Sequence, residues 1–144
     1  MNKSLPSKWL RKAIFDAVNN IVVDGKTIPC YDTNVSGNSR PNHYILLSTQ
    51  SNEVDKANKC EYFWDSEILL DINSIYQSAG NQGRGTITDN ITDEVRRLTD
   101  NLVLDAASGL EVFIQTQSFP NSLSSNTGNQ IIFRNFVRIS LKIK

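Results

Sequence analysis

The strongest constraint on the fold is a long alternation of apolar and polar residues in the middle of the chain. Residues 61–76 read EYFWDSEILLDINSIY. The apolar positions are Tyr62, Trp64, Ile68, Leu70, Ile72 and Tyr76, and the polar positions between them are Asp65, Glu67, Asp71 and Asn73. Because successive side chains of a strand point to opposite faces, the pattern predicts one strand with a core face and a solvated face. Its extended length would be about 50 Å, so we expect a bulge or a protruding end.

A first amphipathic helix is predicted over residues 7–21. Its apolar positions recur at helical spacing and are Leu10, Ala13, Ile14, Ala17, Val18 and Ile21. Either Ser4 or Ser7 caps the helix, because a serine hydroxyl can accept a hydrogen bond from a free backbone amide. Pro6 fits the first turn of a helix that is capped at Ser4.

A second amphipathic helix is predicted over residues 88–102. Its apolar stripe consists of Ile91, Val95, Leu98 and Leu102. Thr86 or Thr88 is available as the N-cap, and a carboxylate at Asp89 in the first turn would favour the helix dipole. We expect this helix to lie on the sheet.

Several shorter segments have strand character. They are residues 27–31, 43–49, 110–118 and 131–144. The segment 43–49 is apolar on both faces, which predicts a central strand. In the last segment Ile131, Phe133, Val137, Ile139, Leu141 and Ile143 share one face, whereas Arg134, Arg138, Lys142 and Lys144 share the other. The polar segments between these elements predict loops at residues 32–41, 78–85 and 119–130, and a loop or a flexible hairpin end at residues 50–59.

This order of elements predicts an α+β fold, a mostly antiparallel sheet with two helices packed on one face. A chain of 144 residues fits one domain, residues 1–144, since a core of this size closes once. Lysine and arginine number 15, as do aspartate and glutamate, so no overall field attracts the protein to nucleic acid or to an anionic membrane. No run approaches the roughly 20 apolar residues of a membrane span, and we expect no export signal.

Cys30, Cys60 and His43 are too few and too scattered for a structural zinc site. Both cysteines are therefore expected to be free thiols, and the expected lack of export argues against a disulfide. His43 lies in a strand beside Tyr44 and has no sequence neighbour suited to activating a nucleophile, so we do not predict a hydrolase. No catalytic, cofactor-binding or metal-binding residue is assigned.

A glycine-rich segment precedes the second helix. It reads Gly80, Asn81, Gln82, Gly83, Arg84, Gly85. Backbone amides at a helix start can bind phosphate, but neither the Gly-Lys-Ser/Thr ending of a P-loop nor the dinucleotide spacing G-x-G-x-x-G is present. We therefore interpret the segment as a connecting loop and expect it to lie at a contact with another subunit or partner.

Three carboxylates, Asp65, Glu67 and Asp71, share one face of the long strand. Such groups can act as general acid and base or bind a divalent metal, so a metal-dependent enzyme is one alternative. Alternation alone also places them on a solvated face, which is the simpler interpretation. The basic face of the last strand, with Arg134, Arg138 and Lys142, is expected to lie across from them, and such cross-strand pairs would select the register.

Two segments carry a resemblance to a known family. They are Arg40-Pro41-Asn42-His43-Tyr44-Ile45-Leu46-Leu47 and the strand Phe63-Trp64-Asp65-Ser66-Glu67-Ile68-Leu69-Leu70-Asp71-Ile72. Together with the opening helix and the late second helix, this pattern resembles the tail terminator and tail completion proteins of tailed bacteriophages, over about residues 10–143. The resemblance implies a small, non-enzymatic α+β subunit that forms a ring at the neck of the virion.

The resemblance also sets the expected partners and location. It implies a homo-oligomeric ring that contacts neighbouring portal, connector or tail proteins, in a virion made in the host bacterial cytoplasm. The candidate assembly interface comprises the glycine-rich segment, Gly80, Asn81, Gln82, Gly83, Arg84 and Gly85, and the charged residues Asp65, Glu67, Asp71, Arg134, Arg138 and Lys142. No cofactor, nucleic-acid specificity or membrane contact is expected. The alternative is a small non-enzymatic adaptor or binding module of a cellular complex.

Overall fold

In a computed structural model of the chain, the alternating segment forms one long strand, β5, Glu61–Gln77. The structure describes residues 5–32, 41–58, 61–77, 85–120, 122–126 and 129–144. Ile68, Leu70 and Ile72 of β5 are fully buried on the core face. The predicted strand and its core face are thereby confirmed.

The strand that precedes β5 is longer than predicted. Strand β4, His43–Asn58, pairs antiparallel with β5 along nearly its whole length. Residues 50–58 were predicted as a loop or a flexible hairpin end because they are mostly charged and polar. The second alternative is the nearer one, since the ladder of backbone hydrogen bonds holds these residues extended as one arm of the antiparallel β4–β5 pair. The bulge expected in β5 lies instead in its partner, since the register shifts between Leu47 and Gln50 and between Asp55 and Asn58 each place an extra residue in β4.

The sheet is completed by strands on both sides of this pair. They are β3, Cys30–Asp32, β6, Val112–Ser118, β7, Leu123–Asn126, and β8, Gln130–Ile143. The order is β3-β4-β5-β8-β6, and β7 also pairs with β8. Every pairing is antiparallel except β3 with β4. Strand β7 corrects the loop predicted over 119–130, since its polar residues pair with one half of β8.

Two helices, α1, Ser7–Val18, and α2, Gly85–Leu98, cover one face of the sheet. Leu10, Ile14 and Val18 of α1 and Ile91 and Val95 of α2 join the core-facing residues of the sheet in one apolar cluster. A hairpin of β1, Ile21–Val23, and β2, Lys26–Ile28, connects α1 to β3. The α+β fold with a mostly antiparallel sheet is confirmed. Neither described helix has the length and apolar character needed to cross a bilayer.

The helix ends differ from the prediction. Pro6 occupies the N-cap of α1 without a side-chain hydrogen bond, so Ser7 is the first helical residue and not the cap, and Ser4 lies outside the described residues. The helix ends at Val18 because Asn19 is extended and Asn20 has a φ of 57°, a left-handed conformation that asparagine tolerates. Ile21 therefore begins β1 instead of ending α1.

Helix α2 begins at Gly85 and ends at Leu98, earlier than predicted at both ends. Thr86 and Thr88 consequently lie inside the helix, and neither is its N-cap. Asp89 falls beyond the first turn, and its carboxylate accepts a hydrogen bond of 2.9 Å from the Asn135 amide of β8. This contact ties the helix to the sheet, which is the packing that the apolar stripe predicted.

Candidate assembly interface

The sheet face opposite the helices carries the charged residues singled out in the sequence. Strands β5 and β8 are neighbours in an unbroken register from Trp64 paired with Ile143 to Gln77 paired with Gln130. The acidic residues of β5 therefore face the basic residues of β8, as predicted. The contacts are Asp65 with Lys142 at 3.9 Å, Glu67 with Arg138 at 3.0 Å and Asp71 with Arg134 at 2.6 Å.

These three ion pairs differ in burial. The pairs of Asp65 and Glu67 are exposed on both sides, where an ion pair contributes about 0 to 1 kcal/mol. Asp71 has a side chain only 6% exposed, and Arg134 reaches it through both Nη2 and Nε. The hydrogen bond to this carboxylate, opposed by partial burial, raises the pKa of Arg134 above its usual value. The geometry is the two-pronged one that arginine forms with carboxylates.

The prediction that this face of β5 is solvated is correct at Asp65 and wrong at Asp71 and Asn73. Both of these residues are 4% exposed, and Ile75 on the same face is 6% exposed. On β4, which pairs here with β5, Tyr44 is also buried, with its aromatic ring edge-on to Tyr31 of β3. One half of the face is therefore a second, mixed polar and aromatic layer, and the other half is open.

The open half carries an aromatic cluster that sequence reasoning did not identify. The aromatic ring centroids of Phe63 and Phe113 lie 5.9 Å apart. Lys142 and Lys144 place their ammonium groups 5.6 and 5.8 Å from the Phe63 ring, within range of a cation–π contact. Phe113 is 64% exposed and Ile114 is 51% exposed. The two phenylalanines are 50 positions apart in sequence, so their contact follows from strand order and not from any local motif.

A groove of about 400 Å³ runs across the same open half. Its lining residues come from β4, β5, β8 and β6 and include Ser51, Glu53, Glu67, Ile114, Thr116 and Lys142. The register aligns Ser51, Glu67, Ser140 and Thr116 in one row from one side of the sheet to the other. A polar groove of this shape can receive a neighbouring polypeptide segment.

A second groove, of about 490 Å³, lies between α2 and the residues that follow β6. Asp89, Asp93 and Arg96 of α2 line one side, and Phe119 and Pro120 line the other. It lies where β8 changes partner, because β7 pairs with β8 up to Arg134 and β6 pairs with it from Arg138. Asn135 in this interval donates hydrogen bonds to Asp89 and Thr92 and so fixes the helix side of the groove.

His43 has the structural environment that the sequence indicated. Its Nδ1 atom lies 2.9 Å from the Ser74 hydroxyl, and its ring packs edge-on against Tyr76. Burial, with a smaller contribution from the positive charge of Lys26, lowers the pKa of His43. The histidine is therefore held in its neutral form by the interior of the sheet.

The remaining residues that the sequence singled out lie in different parts of the chain. Cys30 is a buried free thiol whose pKa is raised to about 12, first by burial and second by the nearby Asp32 carboxylate. Cys60 and the glycine-rich residues Gly80, Asn81, Gln82, Gly83 and Arg84 lie outside the described residues. Gly85 is the first residue of α2. In the described ranges, no group of three or more His, Cys, Asp or Glu side chains is arranged to hold a metal ion.

Comparison with known proteins is informative about the fold. No protein-family model and no curated protein sequence matches the chain. The fold is similar to that of a chain in the solved structure titled "Virion of native gene transfer agent (GTA) particle", with a TM-score of 0.57 and 13% sequence identity. The similarity covers 94% of this chain and 96% of the other. It is a likeness of fold over nearly the entire length of both chains.

Proposed function

We propose that this chain is a structural protein of a virion, which forms or joins an oligomeric ring at the head-tail connector or neck in a tail terminator or tail completion role. The observation that carries the proposal is the fold likeness to a chain of a gene transfer agent virion, which leaves little of either chain unmatched. The resemblance of the sequence to tail terminator and tail completion proteins gives the specific position. Its partners would be copies of itself and the adjoining connector or tail proteins.

The charged side chains support a structural role in preference to a catalytic one. Asp65, Glu67 and Asp71 each face a basic residue of β8. A metal-dependent enzyme would need such carboxylates to converge on a shared ion, whereas here they are spread along one strand and joined to separate partners. The arrangement fixes the register of β5 against β8 and presents a patterned face for assembly.

Immunogold electron microscopy of particles released by the cells that encode this chain tests the proposed location. Antibody against the chain should label the junction of head and tail, and the chain should co-purify with intact particles at a fixed ratio. Particles that lack the chain, together with its recovery in a cellular complex, would contradict the proposal and support the adaptor alternative.

A further inference from the structure

The outermost strand on one side of the sheet has an unusual composition for an edge. Strand β6 pairs with β8 on one side, and no other strand of the described chain pairs with its second side. Its seven residues, VFIQTQS, contain neither a charged residue nor a proline. Natural proteins usually protect a free edge with charges, proline or a covering segment, because unpaired backbone groups attract other strands. Phe113 and Ile114 of β6 itself are exposed. An uncharged edge strand with exposed apolar side chains is suited to pairing with a strand of another chain.

The opposite side of the same sheet has a free edge as well. Strand β3 pairs with β4 at Ile45, Leu46 and Leu47, and Arg11 donates a hydrogen bond of 3.3 Å to the next carbonyl, that of Ser48. Beyond that point, from Gln50 to Asn58, no strand of the described chain borders the outer side of β4. Among the described residues, β6 and the Gln50–Asn58 part of β4 therefore each have one side without a strand partner.

We infer that the β6 edge of one subunit pairs with the free part of the β4 edge of the next copy of this chain, so that the sheets continue between subunits. This inference rests on the proposed ring and names its contact. The occupant is a second copy because the chain itself supplies both edges. Contacts between two different surfaces of identical subunits generate a ring when the rotation closes, and pairing of strand edges supplies main-chain hydrogen bonds.

Strand direction and charge favour unlike edges over like edges. The sheet alternates in direction through β4, β5, β8 and β6, so a neighbour in the same orientation offers its β4 antiparallel to β6. One row of side chains across the open face consists of Glu53, Asp65, Lys142 and Ile114, in that order from β4 to β6. The β4 side of the row is therefore acidic, and Lys142 makes the side next to β6 basic. Joining β6 to β4 brings opposite charges toward one another, whereas joining β6 to β6 would bring two copies of Lys142 together.

Disulfide cross-linking tests this contact. Ser51 and Thr116 lie in one row, three strand spacings or about 14 Å apart, which is beyond the reach of a disulfide within one chain. In a Cys60→Ser background, the double variant Ser51→Cys/Thr116→Cys can therefore cross-link only between chains. A second pair, Glu53→Cys/Thr116→Cys, covers the alternative register. Cys30 is retained because it is buried.

On mild oxidation, at least one double variant should give a ladder of species above the dimer on a non-reducing denaturing gel, and the ladder should collapse with reductant. Each single variant should remain monomeric on that gel. If light scattering shows an oligomer but neither double variant cross-links, the edge contact is wrong and the ring survives. A covalent dimer from Thr116→Cys alone would mean that like edges meet, which also overturns the inference. A monomer at every concentration, with no cross-link, would contradict both the contact and the ring.

Discussion

Asp71 is a buried carboxylate on the sheet face that the helices leave uncovered, and it forms an ion pair with Arg134 of β8. Arg134 provides two hydrogen bonds to it, from Nη2 and Nε. The partner is 42% exposed and can recover hydration if the pair is broken, whereas Asp71 cannot. Loss of the carboxylate removes both hydrogen bonds, whereas loss of the arginine would leave a buried carboxylate without this counter-charge.

We expect Asp71→Ala to lower the free energy of unfolding by about 1 to 3 kcal/mol, because it removes a charged hydrogen-bond acceptor from a buried site. Asp65→Ala is the matched control, since Asp65 belongs to the same ladder but is exposed and lies 3.9 Å from Lys142. Its effect should stay below about 1 kcal/mol. Urea unfolding at pH 7 measures both, and equal losses would show that burial of Asp71 has no energetic consequence.

His43 makes the stability of the fold depend on pH. Its pKa is lowered in the folded state, first by burial and then by Lys26, from an ordinary value of about 6.5. The unfolded chain therefore binds more protons than the folded chain as the pH falls below about 6.5. The contribution to stability is present above that pH and is lost as the pH falls toward the folded pKa.

The free energy of unfolding should consequently decrease between pH 7.5 and pH 5.5, and His43→Asn should reduce that decrease. Asparagine retains a polar group near the Ser74 hydroxyl but does not titrate in this range. Urea unfolding of both proteins at the two pH values measures the difference. An identical pH dependence in the variant would assign the effect to other groups.

The β5 and β8 strands are the elements in which sequence reasoning was most successful. Their alternation predicted which residues face the core, because Ile68, Leu70 and Ile72 and the odd-numbered apolar residues of β8 follow the pleat without interruption. Residues 50–58 of β4 could not be predicted in the same way, since their pairing depends on β5 and not on their own hydrophobicity. The same reason explains the missed strand β7. Helix α1 begins at Ser7 as predicted, but its N-cap is Pro6 without a side-chain hydrogen bond. Helix α2 begins at Gly85 and not at Thr88, because the residues before it gave no unambiguous sequence signal.

The solvated ion pair of Glu67 with Arg138, between β5 and β8, should act on register more than on overall stability. We expect Arg138→Glu to lower the free energy of unfolding by less than about 1 kcal/mol, since it replaces the partner of Glu67 with a second carboxylate at a site that is open to solvent. The reciprocal double variant Arg138→Glu/Glu67→Arg should recover most of that loss. A double-mutant cycle measured by urea unfolding gives the coupling. A coupling free energy of zero would mean that Arg138 and Glu67 do not stabilise the fold through their interaction.

At the scale of the whole molecule, the main feature is a sheet that has its helices on one face and, in the part of the chain that the structure describes, a strand side without a strand partner at each end. The candidate interface could be predicted in part: the facing charges of β5 and β8 follow from the sequence pattern. The edge position of β6 and the contact of Phe63 with Phe113 depend on strand order, which the sequence pattern did not determine. The sequence shows that β6 contains neither a charged residue nor a proline. This composition points to pairing with another chain only once the strand is known to lie at an edge of the sheet.

A charge placed on this edge should weaken self-association. Ile114→Glu places a negative charge on β6 in the row of Glu53, and the inferred contact brings β6 against the acidic β4 side of the next copy, so it should shift assembly to at least about tenfold higher protein concentration while the thermal unfolding midpoint of the monomer changes little. Val103→Glu is the matched control, because Val103 is 83% exposed and lies outside the sheet. Sedimentation velocity over a concentration series compares the two. Equal assembly of both variants would remove β6 from the interface.

The proposed closed ring of copies of this chain can be tested by the absolute mass of the purified protein, measured by light scattering over a concentration series, with negative-stain class averages from the same samples. We expect one discrete mass, an integer multiple of the chain mass of 16.2 kDa, that corresponds to closed rings in the images. A strict monomer at every concentration, or open aggregates without a fixed mass, would contradict the proposed ring.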